Sequence, residues 1–193
     1  MLNPRPLLRT LENRARLALG LDVRLRTEDR RLLEQVILPE YARRDDVRTI
    51  LFVGCAPCTR DYGEHFAGRD YRTLDPDPRK RRFGAGRHMV AALQDLDVKA
   101  PAGIFDLIVC NGVLGWGLDA RSDIERAFTA CHAALRPGGE LVLGWNDVAP
   151  RNRIPPDRVE ALGRFRQATF RPLGAHRYRA DTDNRHTYDF YAR

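Results

Sequence analysis

Residues 49–60, T-I-L-F-V-G-C-A-P-C-T-R, decide the fold of this chain. The four apolar residues from Ile50 to Val53 run without a polar interruption into Gly54. Such a run is typical of a strand that is buried on both faces and ends at a turn. Because helices must then cover both faces, we expect the turn to be a strand-to-helix loop. In open α/β sheets, ligands bind beside such loops, outside the carboxyl ends of the strands.

The same pattern recurs along the chain. Further strands are predicted at 71–74, at the start of 88–96, at 104–110 and at 140–145. Between the last two, a helix is predicted, with Ser122 and Glu125 as a capping box and Pro137-Gly138-Gly139 as its stop. A second, short helix near 158–165 and two final strands near 168–173 and 187–191 are predicted to close the chain. Strands that alternate with helices favour a parallel, doubly wound sheet.

In their order and spacing, these motifs resemble the class I S-adenosylmethionine-dependent methyltransferases. The resemblance covers roughly residues 49–145 and includes V-G-C after the first strand, the acid Asp75, Q-D-L around Asp95, F-D-L-I-V and A-L-R-P-G-G-E-L-V-L. It implies an α/β fold: a doubly wound Rossmann-like sheet of seven strands, mostly parallel, with a C-terminal antiparallel hairpin and helices on both faces. It also implies S-adenosylmethionine as the cofactor.

The resemblance assigns a set of cofactor-binding residues. They are Gly54, Cys55, Ala56, Asp75, Pro76, Asp95, Leu96 and Asn111. Asp75 lies about 20 residues past Gly54, a spacing at which an acid can reach the ribose hydroxyls of a nucleotide. Asp95 is expected to accept from the adenine amino group, with Leu96 donating through its backbone. Family members often carry an acid at the end of the third strand, where this chain has Ala91 or Ala92.

The cofactor loop departs from the usual G-x-G-x-G pattern, because its three positions read Gly54, Ala56 and Cys58, with Pro57 between the last two. Cysteine adds bulk where glycine lets the backbone approach a ligand closely. Residues 55–58 also form a C-x-x-C motif, which is found in redox pairs and, when doubled, in zinc sites. Cys110 and Cys131 do not form a second pair. We therefore favour four buried thiols and predict no metal.

Residues 111–117, N-G-V-L-G-W-G, follow the fourth strand and face the transferred methyl group in the family resembled. Asn111 matches the first residue of the N-P-P-Y motif of amino-methylating enzymes, but the prolines and the tyrosine are missing. Trp116, Trp145 and Asn146 are predicted to bind the substrate, the two indoles as an aromatic wall; core packing is the alternative for the indoles.

No catalytic base can be chosen from the sequence. The weak candidates are Tyr62, Asn146 and His186, and Asp147 and His176 are further candidates by position. His186 begins H-T-Y-D-F-Y, which is predicted to be the last strand, so an ordinary edge residue is the alternative reading.

The length of 193 residues indicates one structural domain, in which N-terminal helices of residues 1–48 cover the site and residues 49–193 form the methyltransferase-like Rossmann domain. An apolar stripe within residues 1–26 can lie on a membrane surface, but we favour packing on the domain. Thr27 is the predicted cap of the next helix, whose Tyr41 can approach the cofactor.

The net charge of +7 is weak evidence for a nucleic-acid partner, because 31 of the 33 basic residues are arginine, a bias that codon composition can produce. The basic run 79–82 can contact phosphates, but it lacks interleaved aromatic residues and reads better as a solvated surface. Nucleic acid is therefore an unlikely partner. The sequence shows neither a membrane span nor a signal-peptide pattern, so a cytoplasmic location is expected.

The resulting hypothesis is a methyltransferase that acts on an oxygen or nitrogen atom of a small-molecule acceptor, a metabolite such as those of specialised metabolism. A small acceptor is favoured because no appended recognition domain is expected. One alternative is a methyltransferase-like binding or partner subunit without methyl transfer, and a second is an RNA methyltransferase. The oligomeric state is not predicted.

Overall fold

The computed structural model describes residues 27–193 and shows an eight-stranded sheet within them. The strands are β1 (Thr49–Val53), β2 (Asp70–Asp75), β3 (Arg87–Val90), β4 (Phe105–Asn111), β5 (Leu135–Asn146), β6 (Arg166–Gln167), β7 (Arg177–Arg179) and β8 (His186–Ala192). Their order is β3-β2-β1-β4-β5-β8-β6, with β7 paired to β8. Strands β1 to β5 are parallel, and β8 is antiparallel to its three neighbours. The predicted Rossmann-like architecture is confirmed.

Helices connect these strands. The α-helices are α1 (Glu28–Leu32), α2 (Leu38–Arg43), α3 (Leu96–Lys99) and α4 (Arg121–Ala134), and a π-helical turn (Leu33–Ile37) joins α1 to α2. The 3₁₀ helices are Pro57–Phe66, Pro78–Phe83, Leu93–Asp95, Pro156–Arg158, Glu160–Arg164 and Arg171–Leu173. Within residues 27–193, no helix combines the length and the apolar character that a membrane crossing requires. The apolar stripe predicted within residues 1–26 lies outside the described residues.

Two apolar layers cover the sheet, because successive strand residues point to opposite faces. On one face, Leu51 and Ile108 pack with Phe128 of α4. On the other, Phe52 and Val109 pack with residues of the segment that runs from α1 to α2. All of these side chains are almost completely buried. Tyr188 and Phe190 of β8 share the second face, whereas Tyr191 belongs to the first, as the alternation of side chains along a strand requires.

The predicted capping box of α4 is wrong. The helix starts two residues earlier than expected, with Ala120 as its N-cap and no side-chain capping bond, so Ser122 lies within the first turn. The Glu125 carboxylate instead accepts from the backbone N–H groups of Glu160 and Ala161, at 3.0 and 2.8 Å. A bond to a distant helix has replaced the local cap.

The strand predicted at 168–173 is also wrong. Only Arg166 and Gln167 form β6, and the chain then turns through the 3₁₀ helix Arg171–Leu173. The antiparallel hairpin partner of β8 is β7, which begins at Arg177. Pro172 has no N–H to donate to a strand ladder, which favours the turn.

Tyr41 does not approach the carboxyl edge of the sheet, so that expectation is wrong. Its hydroxyl donates to Glu140 over 2.7 Å, and Glu140 lies towards the amino end of β5. Arg44 pairs with the same carboxylate at 2.6 Å. Tyr41 therefore fastens α2 to the edge of the sheet opposite the expected site.

Asp106 is expected to contribute strongly to stability, because its carboxylate accepts from the backbone N–H groups of Arg48 and Thr49, at 2.8 and 2.7 Å, and pairs with Arg136. Asp106→Ala leaves these donors without their partner and should lower the free energy of unfolding by about 2 to 4 kcal/mol. Urea denaturation measures this change. Asp183→Ala, at an exposed aspartate, is the control, and equal midpoints for the two variants would contradict the assignment.

Candidate active site

The turn after β1 places the backbone at the carboxyl edge of the sheet. Gly54 has φ +89°, a left-handed conformation that favours glycine. A Cβ there would lie 3.0 Å from a Val113 methyl group and 3.4 Å from the Asn111 carbonyl oxygen. The turn therefore lies directly against the end of β4, and Gly54 is required for its conformation and for this close approach.

The two remaining positions of the altered glycine pattern are Ala56 and Cys58. Ala56 is extended, with φ −150°, a conformation that any residue adopts. Its N–H donates to Thr59 Oγ1 and its carbonyl accepts from the same hydroxyl, both at 3.0 Å. Cys58 lies in the first turn of the 3₁₀ helix Pro57–Phe66. Thr59 thus holds the loop where further glycines were expected.

Asp75 ends β2 beside this turn and is only 2% exposed. Its carboxylate accepts from the Cys55 N–H at 2.8 Å, the Asp77 N–H at 3.0 Å and the Lys80 ammonium at 3.1 Å. A carboxylate has about four lone-pair sites, so roughly one remains for a ligand. If the half-exposed Lys80 side chain moved aside, about two lone-pair sites would be free, one for each of two ribose hydroxyls.

The expected contact of Leu96 with adenine is wrong. Residues 93–95 form a 3₁₀ turn, and the Leu96 N–H closes it by donating to the Leu93 carbonyl. The Asp95 carboxylate pairs with Arg126 at 3.0 Å and is 47% exposed. Asp95 therefore remains a candidate for the adenine amino group, but Leu96 does not. Ala91 occupies the end of β3, where relatives often carry an acid, and is 8% exposed.

Three polar side chains meet at the carboxyl ends of β4 and β5 and the start of β8. His186 Nε2 lies 2.9 Å from Asn111 Oδ1, and His186 Nδ1 lies 2.6 Å from Asn146 Oδ1. Each of the three residues is at most 8% exposed. We call them the Asn–His–Asn cluster. Gly144 makes room for it, because a Cβ there would lie 1.9 Å from Asn111 Oδ1 and 2.9 Å from His186 Nε2.

Burial lowers the pKa of His186 to about 4, with Asp29 opposing this shift and Arg30 adding to it. The imidazole is therefore neutral at physiological pH. His186 is not the edge residue of the alternative reading, since β5 and β7 flank β8 on its two sides.

The segment α1 lies over the same edge. The Arg30 guanidinium donates to the Tyr62 hydroxyl at 2.9 Å, and that hydroxyl donates to Glu34 at 2.7 Å. Glu28 accepts from the Tyr178 hydroxyl and the Asp181 N–H, at 2.8 and 2.7 Å. Two further elements of the fold thus hold α1. Sequence reasoning missed Arg30, Glu34 and Glu28, because only the tertiary fold brings them to their partners.

The predicted aromatic wall is not formed. Trp145 is 4% exposed within the α4-facing layer, and its indole N–H donates to Asp189 at 2.8 Å. Trp116 is 52% exposed, with the Arg151 guanidinium 3.6 Å from its ring centroid. Trp145 is thus a core residue, and Trp116 is the indole that remains available to a ligand.

The remaining candidates are dispersed. Asp147 lies beside Arg185 and Arg179, at 3.5 and 3.9 Å, and accepts from Asn152. His176 is exposed, and its carbonyl accepts from the Phe190 N–H, four residues along β8 from His186. Pro76 is exposed beyond the end of β2. Tyr62 is buried. Burial raises the pKa of its hydroxyl above the ordinary value, and the charge of Arg30 partly opposes this shift.

All four cysteines are free thiols. Burial and the nearby Asp75 charge raise the pKa of Cys55 to about 11. Within residues 27–193, no group of three or more histidine, cysteine, aspartate or glutamate side chains could hold a metal ion.

Comparison with known proteins agrees with this geometry. Residues 53–143 match a family model described as a methyltransferase domain. No curated protein matches the chain in sequence.

Three solved structures illustrate the likeness in fold. The N-methyltransferase NodS from Bradyrhizobium japonicum WM9, in complex with S-adenosyl-L-homocysteine, has a TM-score of 0.63 and 18% identity over 86% of this chain and 88% of its own. A TehB-like SAM-dependent methyltransferase from Corynebacterium glutamicum has a TM-score of 0.59 and 22% identity over 98% of both chains. The 1,6-didemethyltoxoflavin-N1-methyltransferase from Burkholderia thailandensis has a TM-score of 0.54 and 14% identity over 100% of this chain and 91% of its own.

The match of residues 53–143 to a methyltransferase-domain model and the fold confirm the predicted resemblance to the class I S-adenosylmethionine-dependent methyltransferases. S-adenosylmethionine supplies a methyl group on a positively charged sulfur, so the cofactor itself carries the activated carbon.

Asp75→Asn should lower the affinity for S-adenosylhomocysteine about tenfold or more, because the amide cannot serve ribose hydroxyls as the carboxylate does. Isothermal titration calorimetry measures the change. Asp77→Asn, two residues further on at a carboxylate that pairs with Arg79, is the control. Unchanged affinity in Asp75→Asn would remove this residue from the cofactor site.

The depressed pKa of His186 should make the fold sensitive to acid. Between about pH 6.5, the ordinary value for histidine, and pH 4, the unfolded chain binds a proton that the folded chain does not. The contribution of His186 to stability is therefore present above this window and is lost as the pH falls through it.

His186→Gln should flatten the dependence of unfolding free energy on pH between 6.5 and 4.5, relative to the parent protein. Denaturation at several pH values tests this, with His65→Gln, at an exposed histidine, as the control. A variant curve parallel to that of the parent protein would count against a neutral, buried imidazole.

Proposed function

We propose that this enzyme transfers the methyl group of S-adenosylmethionine to an oxygen or nitrogen atom of a small metabolite. The observation that carries the proposal is the attachment of α1 over the carboxyl edge. Bonds from Arg30 to Tyr62 and from Glu28 to Tyr178 and Asp181 hold it there, and the Tyr188 hydroxyl donates to the Asp29 carbonyl at 3.0 Å. A macromolecular acceptor would have to break these bonds to reach the edge.

The proposed roles follow from position. Gly54, Cys55 and Ala56 line the cofactor turn, Asp75 binds the ribose, and Asp95 is the candidate for the adenine. Asn111, Asn146 and His186 lie on the acceptor side, with Tyr62 and Arg30 above them. Methyl transfer is an in-line displacement, so most of the rate can come from holding the acceptor atom aligned with the methyl group.

The names of two neighbours agree with a small acceptor. NodS is an N-methyltransferase, and the Burkholderia thailandensis structure contains bound 1,6-didemethyltoxoflavin. At these identities the likeness bears on the fold, so the identity of this chain's acceptor rests on experiment.

RNA methylation is the less favoured function. Of the basic run 79–82, Arg79 pairs with Asp77 and Lys80 with Asp75. Arg82 lies over the Phe83 ring, with 4.7 Å between its guanidinium carbon and the ring centroid. Two of the four cations thus have a carboxylate beside them, which reduces the positive charge that this run presents to an RNA phosphate.

A partner subunit without methyl transfer is the other alternative, and the loop at Ala56 and Cys58 is the feature that suggests it. The extended backbone of Ala56 removes part of this objection, because no glycine is needed there. Binding of S-adenosylhomocysteine with micromolar affinity supports the enzyme, whereas no binding at millimolar ligand favours the subunit.

Incubation with methyl-labelled S-adenosylmethionine should label molecules in a small-metabolite extract and leave total RNA unlabelled. At a cofactor concentration below saturation, Asp75→Asn should lower the labelling about tenfold or more, and Asp77→Asn should preserve it. Label confined to RNA, with affinity that falls steeply with salt, would reverse the assignment. Cofactor binding without any transfer would support the partner-subunit alternative.

A further inference from the structure

The hydrogen bonds of the Asn–His–Asn cluster restrict how its histidine can be protonated. Both amide oxygens face the imidazole, at 2.9 and 2.6 Å, so both ring nitrogens would have to carry a proton. Burial instead favours the neutral ring, which has one N–H and one lone pair. One of the two amides must therefore present its nitrogen to the ring. The oxygen and nitrogen of an amide are nearly isosteric, so this exchange keeps the arrangement and requires at most that a contact lengthen by about 0.3 Å to the usual hydrogen-bond distance.

Gly144 decides which amide is turned. Because an added Cβ would lie 1.9 Å from Asn111 Oδ1, a Cα hydrogen of Gly144 points at that atom. An oxygen there accepts a weak C–H bond, whereas an amide nitrogen would set N–H against C–H. Asn111 therefore keeps its oxygen towards Gly144 and His186. It follows that His186 Nε2 carries the proton and that Nδ1 accepts from the Asn146 amide nitrogen.

This arrangement leaves the amide nitrogen of Asn111 as a donor at the end of β4. Among residues 27–193 no hydrogen-bond acceptor pairs with it. The backbone of Asn111 adjoins the cofactor turn, with its carbonyl oxygen 3.4 Å from the position of a Gly54 Cβ. A donor in this place suits an acceptor atom with two lone pairs, because one can accept the hydrogen bond while the other attacks. An amine has a single lone pair, which such a bond would occupy.

His186 is then unsuited to act as the base. Its only lone pair is engaged by Asn146, and Asp29 and Arg30 of α1, the charged side chains close enough to act on it, oppose each other. The hydroxyl of Tyr62, another candidate base, already donates its proton to Glu34. The imidazole instead fixes the orientation of the Asn111 amide, which makes His186 a positioning residue.

We propose that the enzyme methylates an oxygen atom, which the Asn111 amide nitrogen holds by a hydrogen bond while neutral His186, protonated at Nε2, fixes that amide. This inference rests on the proposed function. An oxygen lone pair forms the new bond to the methyl carbon, and the electron pair of the broken carbon–sulfur bond stays on sulfur, which becomes a neutral thioether. A proton still carried by the oxygen is released to water.

The tautomer is tested directly and independently of activity. Long-range ¹H–¹⁵N spectra of the protein at pH 7 should show the His186 ring protonated at Nε2, with His186→Gln used to assign the signals. Protonation at Nδ1, or at both nitrogens, would overturn the arrangement.

The preference for oxygen is tested with two fragments of equal size, phenol and aniline, on the S-adenosylhomocysteine complex. Phenol should shift the Asn111 side-chain NH₂ resonances in a saturable titration, and Asn111→Ala should weaken its binding at least fivefold. Gln167→Ala, at an exposed amide on β6, is the control. Aniline binding more tightly, or phenol leaving the Asn111 signals unmoved, would overturn the proposal. Failure of S-adenosylhomocysteine to bind at all is a separate result, which counts against the proposed function itself.

Discussion

The absence of a side chain at Gly144 is the constraint on which the Asn–His–Asn cluster depends. Adjacent strands leave about 5 Å between facing residues, and a methyl group at this position would fill the space that Asn111 and His186 use. Both ring nitrogens of the buried His186 find a partner within the cluster, so the imidazole does not carry the cost of unpaired polar atoms. A single methyl group at Gly144 of β5 would therefore displace side chains that come from β4 and β8.

The turn after β1 is stabilised in a different way. Proteins with several glycines in this turn rely on backbone freedom, whereas this chain uses Gly54 where φ is positive and Thr59 where the turn needs support. The threonine hydroxyl both donates to and accepts from Ala56, which replaces conformational freedom by a fixed local bond. The Cys55 N–H in turn binds Asp75, so β1 and β2 are linked at the point where the ribose is expected.

The sequence predicted β1 and β4 well because each contains a largely apolar run that ends at a polar or glycine residue. It also predicted that Gly54, Asp75 and Asn111 end neighbouring strands, since the order of strands in this fold brings those ends together. It failed where a distant partner decides the structure. Glu125 resembled half of a cap but bonds to the backbone near Glu160, and Tyr41 faces Glu140 at the opposite edge. Arg30 and Glu34 carry no local signature, because each acquires its role only through Tyr62.

The contact between Lys80 and Asp75 has a consequence for the energetics of ligand exchange. A buried carboxylate without a counter-charge would be costly, and the ammonium, which is half exposed, neutralises it when no sugar is present. In the cofactor complex proposed above, ligand capture would be an exchange reaction, in which neutral hydroxyls take the place of a cation that returns to water. The measured affinity would then reflect the difference in free energy between two states of the Asp75 carboxylate, one bound to the ammonium and one bound to the sugar. A lysine five residues further along the chain would then compete with the nucleoside for the same carboxylate.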